Sequence, residues 1–339
     1  MAYYVYVSIM QDEKVNIYSM DEHSGALELV HEVPLTGGPA GIAINPNKRF
    51  LYVVRRGASQ IASFAIDQSD GSLTDLGSIE EESDSVYITI DAAGKFVFTS
   101  NNGTGRASSY RVGDDGALVA PAASTVFGVP MAHSVQVHPS DKYVYVPHCI
   151  NQNSIFQYTF NGETGQIAAQ DLAVLVPDAR LGPRHIRFHP LLVDVMYTTD
   201  EQGNSISAYR VTDGRLSQPF QTISTLPDDY DNNAKLNTTA QLRVHPSGKY
   251  LYAPNRGHDS VAAFSIDEST GELTLIGRVP TEDHVRGFDL DPQGKFVFAA
   301  GAASGKVAAY TIDQSSGELT PGEVYEVGDS PMWVLATEL

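Results

Sequence analysis

The chain has 339 residues, 42% of them hydrophobic, and a formal net charge of −19. An acidic surplus of that size repels phosphate backbones and anionic lipid, so no nucleic-acid partner and no membrane partner is expected. The single cysteine, Cys149, excludes an intrachain disulfide framework and fits a reducing compartment.

Taken in chain order, MAYYVYVSIM lacks the basic start and long apolar run of a secretion signal, and a cytoplasmic location is expected. Its alternating tyrosines and valines read as a β-strand. No stretch approaches the ~20 apolar residues that a membrane span needs. A turn phrase, Gly-x-Leu or Gly-x-Ile, then begins at Gly25, Gly71, Gly116, Gly165, Gly214, Gly271 and Gly317. These seven copies are 46, 45, 49, 49, 57 and 46 residues apart, a period built for four short strands per unit.

The second unit shows the pattern. AGIAIN (40–45), RFLYVV (49–54), QIASFAID (60–67) and SLTDLGSI (72–79) alternate aliphatic, aromatic and polar residues between short turns. No segment has a helical period. The first unit lacks its opening strand, and the last words of the chain, PMWVLAT (331–337), supply one. The expected fold is all-β: one domain, residues 1–339, a seven-bladed β-propeller of four-stranded antiparallel blades. The C-terminal strand joins the N-terminal blade, closes the ring and removes two sheet edges. An insertion, PDDYDNNAKLNTT (227–239), is either an ordinary loop or a flap beside the channel mouth.

The opening strands carry a second phrase: AHSVQVHP (132–139), GPRHIRFHP (182–190), TAQLRVHP (239–246) and VRGFDLDP (285–292). Counting back six residues from the proline, or from Ala92 in the third unit, aligns Ala40, Val86, His133, Arg184, Ala240, Arg286 and Met332. The next column is Gly41, Tyr87, Ser134, His185, Gln241, Gly287 and Trp333. Opening strands line a propeller's channel, so both columns ring one mouth. Second strands return to the same end and exit through Arg55-Arg56, Asn101-Asn102, His148-Cys149, Asp200-Glu201, Asn255-Arg256 and Gly301-Ala302. The expected funnel thus gathers Arg55, His133, His148, Arg184, His185, Arg256 and Arg286 against Asp200 and Glu201. A cationic funnel on an acidic body attracts a small anionic substrate, and an arginine fork grips two oxygens at once. Arg286 has the competing reading of a blade-to-blade salt bridge, and Trp333 that of a packing plug. His138, His189 and His245, at the far end of the strands, read as turn caps. No H-x-H, HExxH or C-x-x-C spacing occurs, so no metal and no cofactor is expected.

GPRHIRFHP, PMAHSVQVHPSDKYVYVP, YAPNRGHDSVAAFSID, VRGFDLDPQGKFVFAAG and SPMWVL resemble the seven-bladed propeller lactonases over essentially the whole chain. That family takes in propeller-type 6-phosphogluconolactonases and carboxy-cis,cis-muconate cyclases. The resemblance implies a metal-free enzyme, monomeric or weakly associating, that opens or forms a lactone. By motif it implies His133, Arg184, Glu201 and Arg256 as catalytic residues. His185, Arg286, Arg55, His148 and Trp333 are the expected substrate contacts. Hydrolysis of an anionic sugar lactone is the first expectation. Cycloisomerisation of a muconate-type dicarboxylate and a non-catalytic binding propeller are the alternatives. Either His133 or Glu201 is the general base.

Overall fold

The computed structural model describes residues 2–339, apart from the side chains at positions 172 and 173. Seven antiparallel sheets form the blades of a propeller. Blade 1 is Tyr3–Ile9, Lys14–Met20 and Leu27–Pro34, with Pro331–Glu338 as its innermost strand. Tyr3 pairs with Glu338 and Ser8 with Trp333, so the two ends of the chain close the ring as one sheet. Blades 2 to 7 follow in order, with innermost strands beginning at Pro39, Tyr87, Gln136, Pro183, Thr238 and Val285. Two short 3-10 turns are the only helical elements among the described residues.

The Gly-x-Leu turns are where blade meets blade. All seven glycines have positive φ, from 73° to 88°, which a side chain disfavours. A Cβ on Gly116 would lie 2.1 Å from the ring of Phe50 in blade 2. The glycine carbonyls accept latches from the preceding blade: Tyr6 to Gly71 at 2.8 Å, Tyr52 to Gly116 at 3.0 Å, Tyr145 to Gly214 at 2.9 Å and Tyr197 to Gly271 at 2.8 Å. Each places a tyrosine hydroxyl in the core with its partner satisfied. The His-Pro ends have the same structural purpose. His189 Nδ1 accepts the amides of Leu191 and Leu192, while Nε2 reaches the Gly248 carbonyl at 2.8 Å. His245 does likewise with Ser247 and Gly294. These histidines cap turns and tie neighbouring blades.

At the opposite end most innermost strands are irregular. In blade 5, Pro183 faces Asp200 and His185 faces Thr199, leaving Arg184 as an extra residue. Blade 7 leaves Arg286 extra in the same way, and blade 1 leaves Met332. In blades 4 and 6 the ladder breaks. His133 and Ala240 donate to the carbonyls of Pro147 and Pro254, and neither proline has an N–H to return. The column read from the sequence thus falls on bulges at Arg184, Arg286 and Met332 and on ladder breaks at His133 and Ala240, and irregularity of this kind turns side chains into the channel.

Candidate active site

The bulges and the exits of the second strands enclose a cavity of about 240 Å³ at one mouth of the channel. Its working surface is Arg56, His133, Arg184, Glu201, Arg256 and Arg286, with Asn102 and Gln241 beside them. The floor is aromatic. Tyr87 meets His185 edge-on at 5.1 Å and Trp333 at 5.5 Å, and His133 lies 5.3 Å from His185. Trp333 is both plug and wall: it is buried, packs on Tyr87 and lines the cavity.

Glu201 joins the arginines. Arg256 Nη2 donates to its Oε1 at 2.6 Å, and Arg184 Nε lies 3.5 Å from the same oxygen. All three side chains are nearly buried, at 5% exposure for each arginine and 13% for the glutamate. Several of their polar atoms have no hydrogen-bond partner among the described residues: Arg184 Nε and Nη1, Arg256 Nε, Glu201 Oε2 and His133 Nδ1. Buried polar groups are normally paired, so donors and acceptors left over beside a cavity are available to a bound molecule. Arg286 forms no ion pair among the described residues, and the salt-bridge reading does not hold.

Of the expected contacts, His133, Arg184, His185, Glu201, Arg256, Arg286 and Trp333 come together around the cavity. Arg55 and His148 do not. The Arg55 guanidinium turns back into its own blade, bonding the Thr36 carbonyl at 2.6 Å and Gln60. His148 points its Nδ1 at the Pro130 carbonyl and packs on Phe156. Their chain neighbours turn the other way: Arg56 lines the cavity, and the Cys149 thiol lies against Glu201. No residue of the 227–239 insertion lines the cavity. Lys235 pairs with Asp259 and Tyr230 packs on His258, beside the turn that follows Arg256.

Residues 4–336 match the family model described as lactonase, 7-bladed β-propeller. This chain belongs to that family. It is 30% identical to a 6-phosphogluconolactonase of Pectobacterium carotovorum over 332 residues, 97% of both chains. The structure of a periplasmic gluconolactonase from Pseudomonas aeruginosa superposes with a TM-score of 0.90 at 23% identity, covering 99% of each chain. A Lactobacillus plantarum protein gives 0.87 at 24%, again over 99% of each.

The electrostatics of this lactonase's funnel divide its titratable groups by role. Burial alone would raise the Glu201 carboxyl. The guanidinia of Arg184 and Arg256 outweigh burial and hold it far below the usual carboxylate range, at about 2. Burial and then Arg184 push His133 well below the ordinary imidazole value, so its ring is neutral at pH 7. Burial and Arg256 lower Arg184, and burial and Arg256 lower Arg286 to about 10, yet both guanidinia stay charged at neutral pH. The cavity lining thus sets four arginines against one ionised glutamate, with Asp84, 3.8 Å from Arg56, as the only other acid paired with them among the described residues. It can hold an anion, donate hydrogen bonds to a developing oxyanion, and accept a proton on a neutral imidazole.

Proposed function

We propose that this lactonase hydrolyses 6-phosphogluconolactone to 6-phosphogluconate. The observation that carries the proposal is Arg286, a cavity-lining guanidinium with no carboxylate of its own, electrostatically coupled to Arg56. A doubly charged phosphate suits such a pair. The 30% identical relative named 6-phosphogluconolactonase supports the same substrate. The reading carries with it a cytoplasmic setting in the pentose phosphate pathway.

In this mechanism the phosphate rests on Arg286 and Arg56, and the lactone carbonyl points to the unpaired Nε and Nη1 of Arg184. A water attacks the carbonyl carbon and gives its proton to neutral His133. The oxyanion of the tetrahedral intermediate is held by Arg184, with Arg256 beside it. Collapse breaks the bond to the ring oxygen, which takes the proton back from His133. The product acid then ionises. Glu201 is a poor base in this scheme, because a carboxylate held at about 2 has little affinity for a proton. Its part is to orient Arg184 and Arg256.

The test compares 6-phosphogluconolactone, unphosphorylated gluconolactone and carboxymuconate as substrates. Arg286→Ala is expected to raise KM for the phosphorylated lactone about 10–100-fold, the value of one or two charged hydrogen bonds, and to leave gluconolactone kinetics nearly unchanged. Equal losses on both lactones, or preferred turnover of carboxymuconate, overturn the assignment. Arg184→Ala is expected to cost about 10²–10³-fold in kcat with a smaller change in KM, as loss of an oxyanion donor does. Steady-state kinetics corrected for spontaneous lactone opening decide it.

A further inference from the structure

The channel has a second charged chamber beneath the aromatic floor. It encloses about 290 Å³ at the other mouth and shares only Trp333 with the active-site cavity. Its polar lining is Tyr87 and Thr89 with Gln136, Arg187, Arg243 and Asp289, contributed by five consecutive blades. Apart from Trp333 the rest is aliphatic, including Ile42, Ile44 and Leu335.

The charges in this chamber do not balance. Asp289 is its one carboxylate, and it is fully engaged. Oδ1 accepts from Arg243 Nε at 2.6 Å and from the Leu290 amide at 3.0 Å, and Oδ2 accepts from the Ala336 amide at 3.1 Å. Arg187 has no ion pair among the described residues. It spends a single nitrogen, Nη1, on three neutral oxygens: Tyr87 at 2.7 Å, Gln136 at 3.3 Å and the Ile186 carbonyl at 2.8 Å. Its Nε and Nη2 donate to nothing among the described residues, and neither does Arg243 Nη2. After burial, Arg187 is the largest influence lowering Arg243. Two like charges held in one half-buried chamber with one acid repel, and a small anion between them relieves that repulsion.

We infer that this second chamber is an oxyanion site, separate from the active site, in which Arg187 and Arg243 bind a phosphate or carboxylate group. Tyr87 sits between the two chambers. Its ring packs against His185 and Trp333 on the active-site floor, while its hydroxyl takes the Arg187 bond below. The site takes either a free inorganic ion or the phosphate of a sugar acid.

The experiment uses the full chain with Arg184→Ala and Arg286→Ala together, which weakens anion binding at the upper cavity. Thermal stability is followed against inorganic phosphate, and separately against 6-phosphogluconate, at ionic strength fixed with chloride. The expected result is a saturable rise in Tm for at least one ligand. The rise should be abolished by a further Arg187→Gln and partly kept by Arg187→Lys. The ligand with the lower apparent Kd identifies the source. In the otherwise wild-type chain, Arg187→Gln should keep kcat on the lactone substrate within about threefold. A Tm independent of both ligands, or an unchanged rise in the Arg187→Gln protein, overturns the proposal. Because activity and anion binding are read separately, failure here leaves the substrate assignment standing, and the reverse holds too.

Discussion

Replacing His133 with asparagine is expected to lower kcat by about 10²–10⁴-fold, the range of a positioned general base, while the protein stays folded. The reason lies in the ladder break of blade 4. The backbone of His133 is fixed by its amide bond to the Pro147 carbonyl, and Nδ1 has no partner among the described residues. The ring packs on His185 and is free to take a proton. The pH profile gives a second readout. Burial first, then Arg184, lowers the imidazole's affinity for protons, so the active neutral form persists well below pH 6.5. Activity should stay level through neutrality and fall only on the acid side of 6.5. The asparagine protein should lose that acid limb along with most of its rate. A limb that survives the substitution would assign it, and the base, to another group.

The largest effect on stability is expected from Glu201→Gln. The carboxylate sits between two nearly buried guanidinia, and removing its charge leaves them facing each other. Breaking a buried pair in this way costs about 3–5 kcal/mol. The pH dependence gives a similar figure. A carboxyl drawn from 4.5 to about 2 in the folded protein contributes roughly 3 kcal/mol, the fall multiplied by about 1.4 kcal/mol per pH unit. Because the folded value is the depressed one, this contribution is complete above the unfolded value of 4.5. It is lost as pH falls from 4.5 towards 2. Unfolding of wild-type and Glu201→Gln protein should therefore differ most at neutral pH, and the gap should close on acidification below about 4.5. A gap that holds constant to pH 3 would mean that Glu201 is not ionised between the arginines. The substitution should also slow turnover, since Arg184 loses the neighbour that orients it.

The exits of the second strands show how much of the site was legible and where the reading slipped. At the five exits whose first residue has a side chain, that residue faces back into its blade, as Asn101 does in capping Thr104. Arg55 bonds Thr36, and His148 packs on Phe156. Asp200 accepts from Thr198, Ser205 and Ser207, and Asn255 holds Thr225 and Ser260. The second residue looks into the funnel: Arg56, Asn102, Glu201 and Arg256 line the cavity, and Cys149 touches Glu201. Strand residues alternate faces, so one choice of parity fixes all of these positions together. The expected contacts Glu201 and Arg256 have the inward parity, and Arg55 and His148 the outward one. Arg56 was within reach of the same rule. Gln241 was visible in the second column, but its glutamine carries no charge to draw notice.

The period of the Gly-x-Leu turns was enough to set the number of blades, the split first blade and the column of residues at the channel mouth. Those are local properties. A glycine at positive φ, an alternating strand and a proline without an N–H act through the chain nearest to them. Pairing was decided only by the closed ring. Whether Arg286 has an acid partner, whether His133 is neutral, and whether Arg187 is left without a carboxylate depend on what the neighbouring blades bring within a few ångströms. Residues 50 to 100 positions apart in the chain meet there, and burial then makes each charge felt by the others. The sequence could place the arginines on the channel, but only the assembled ring could divide them between two chambers.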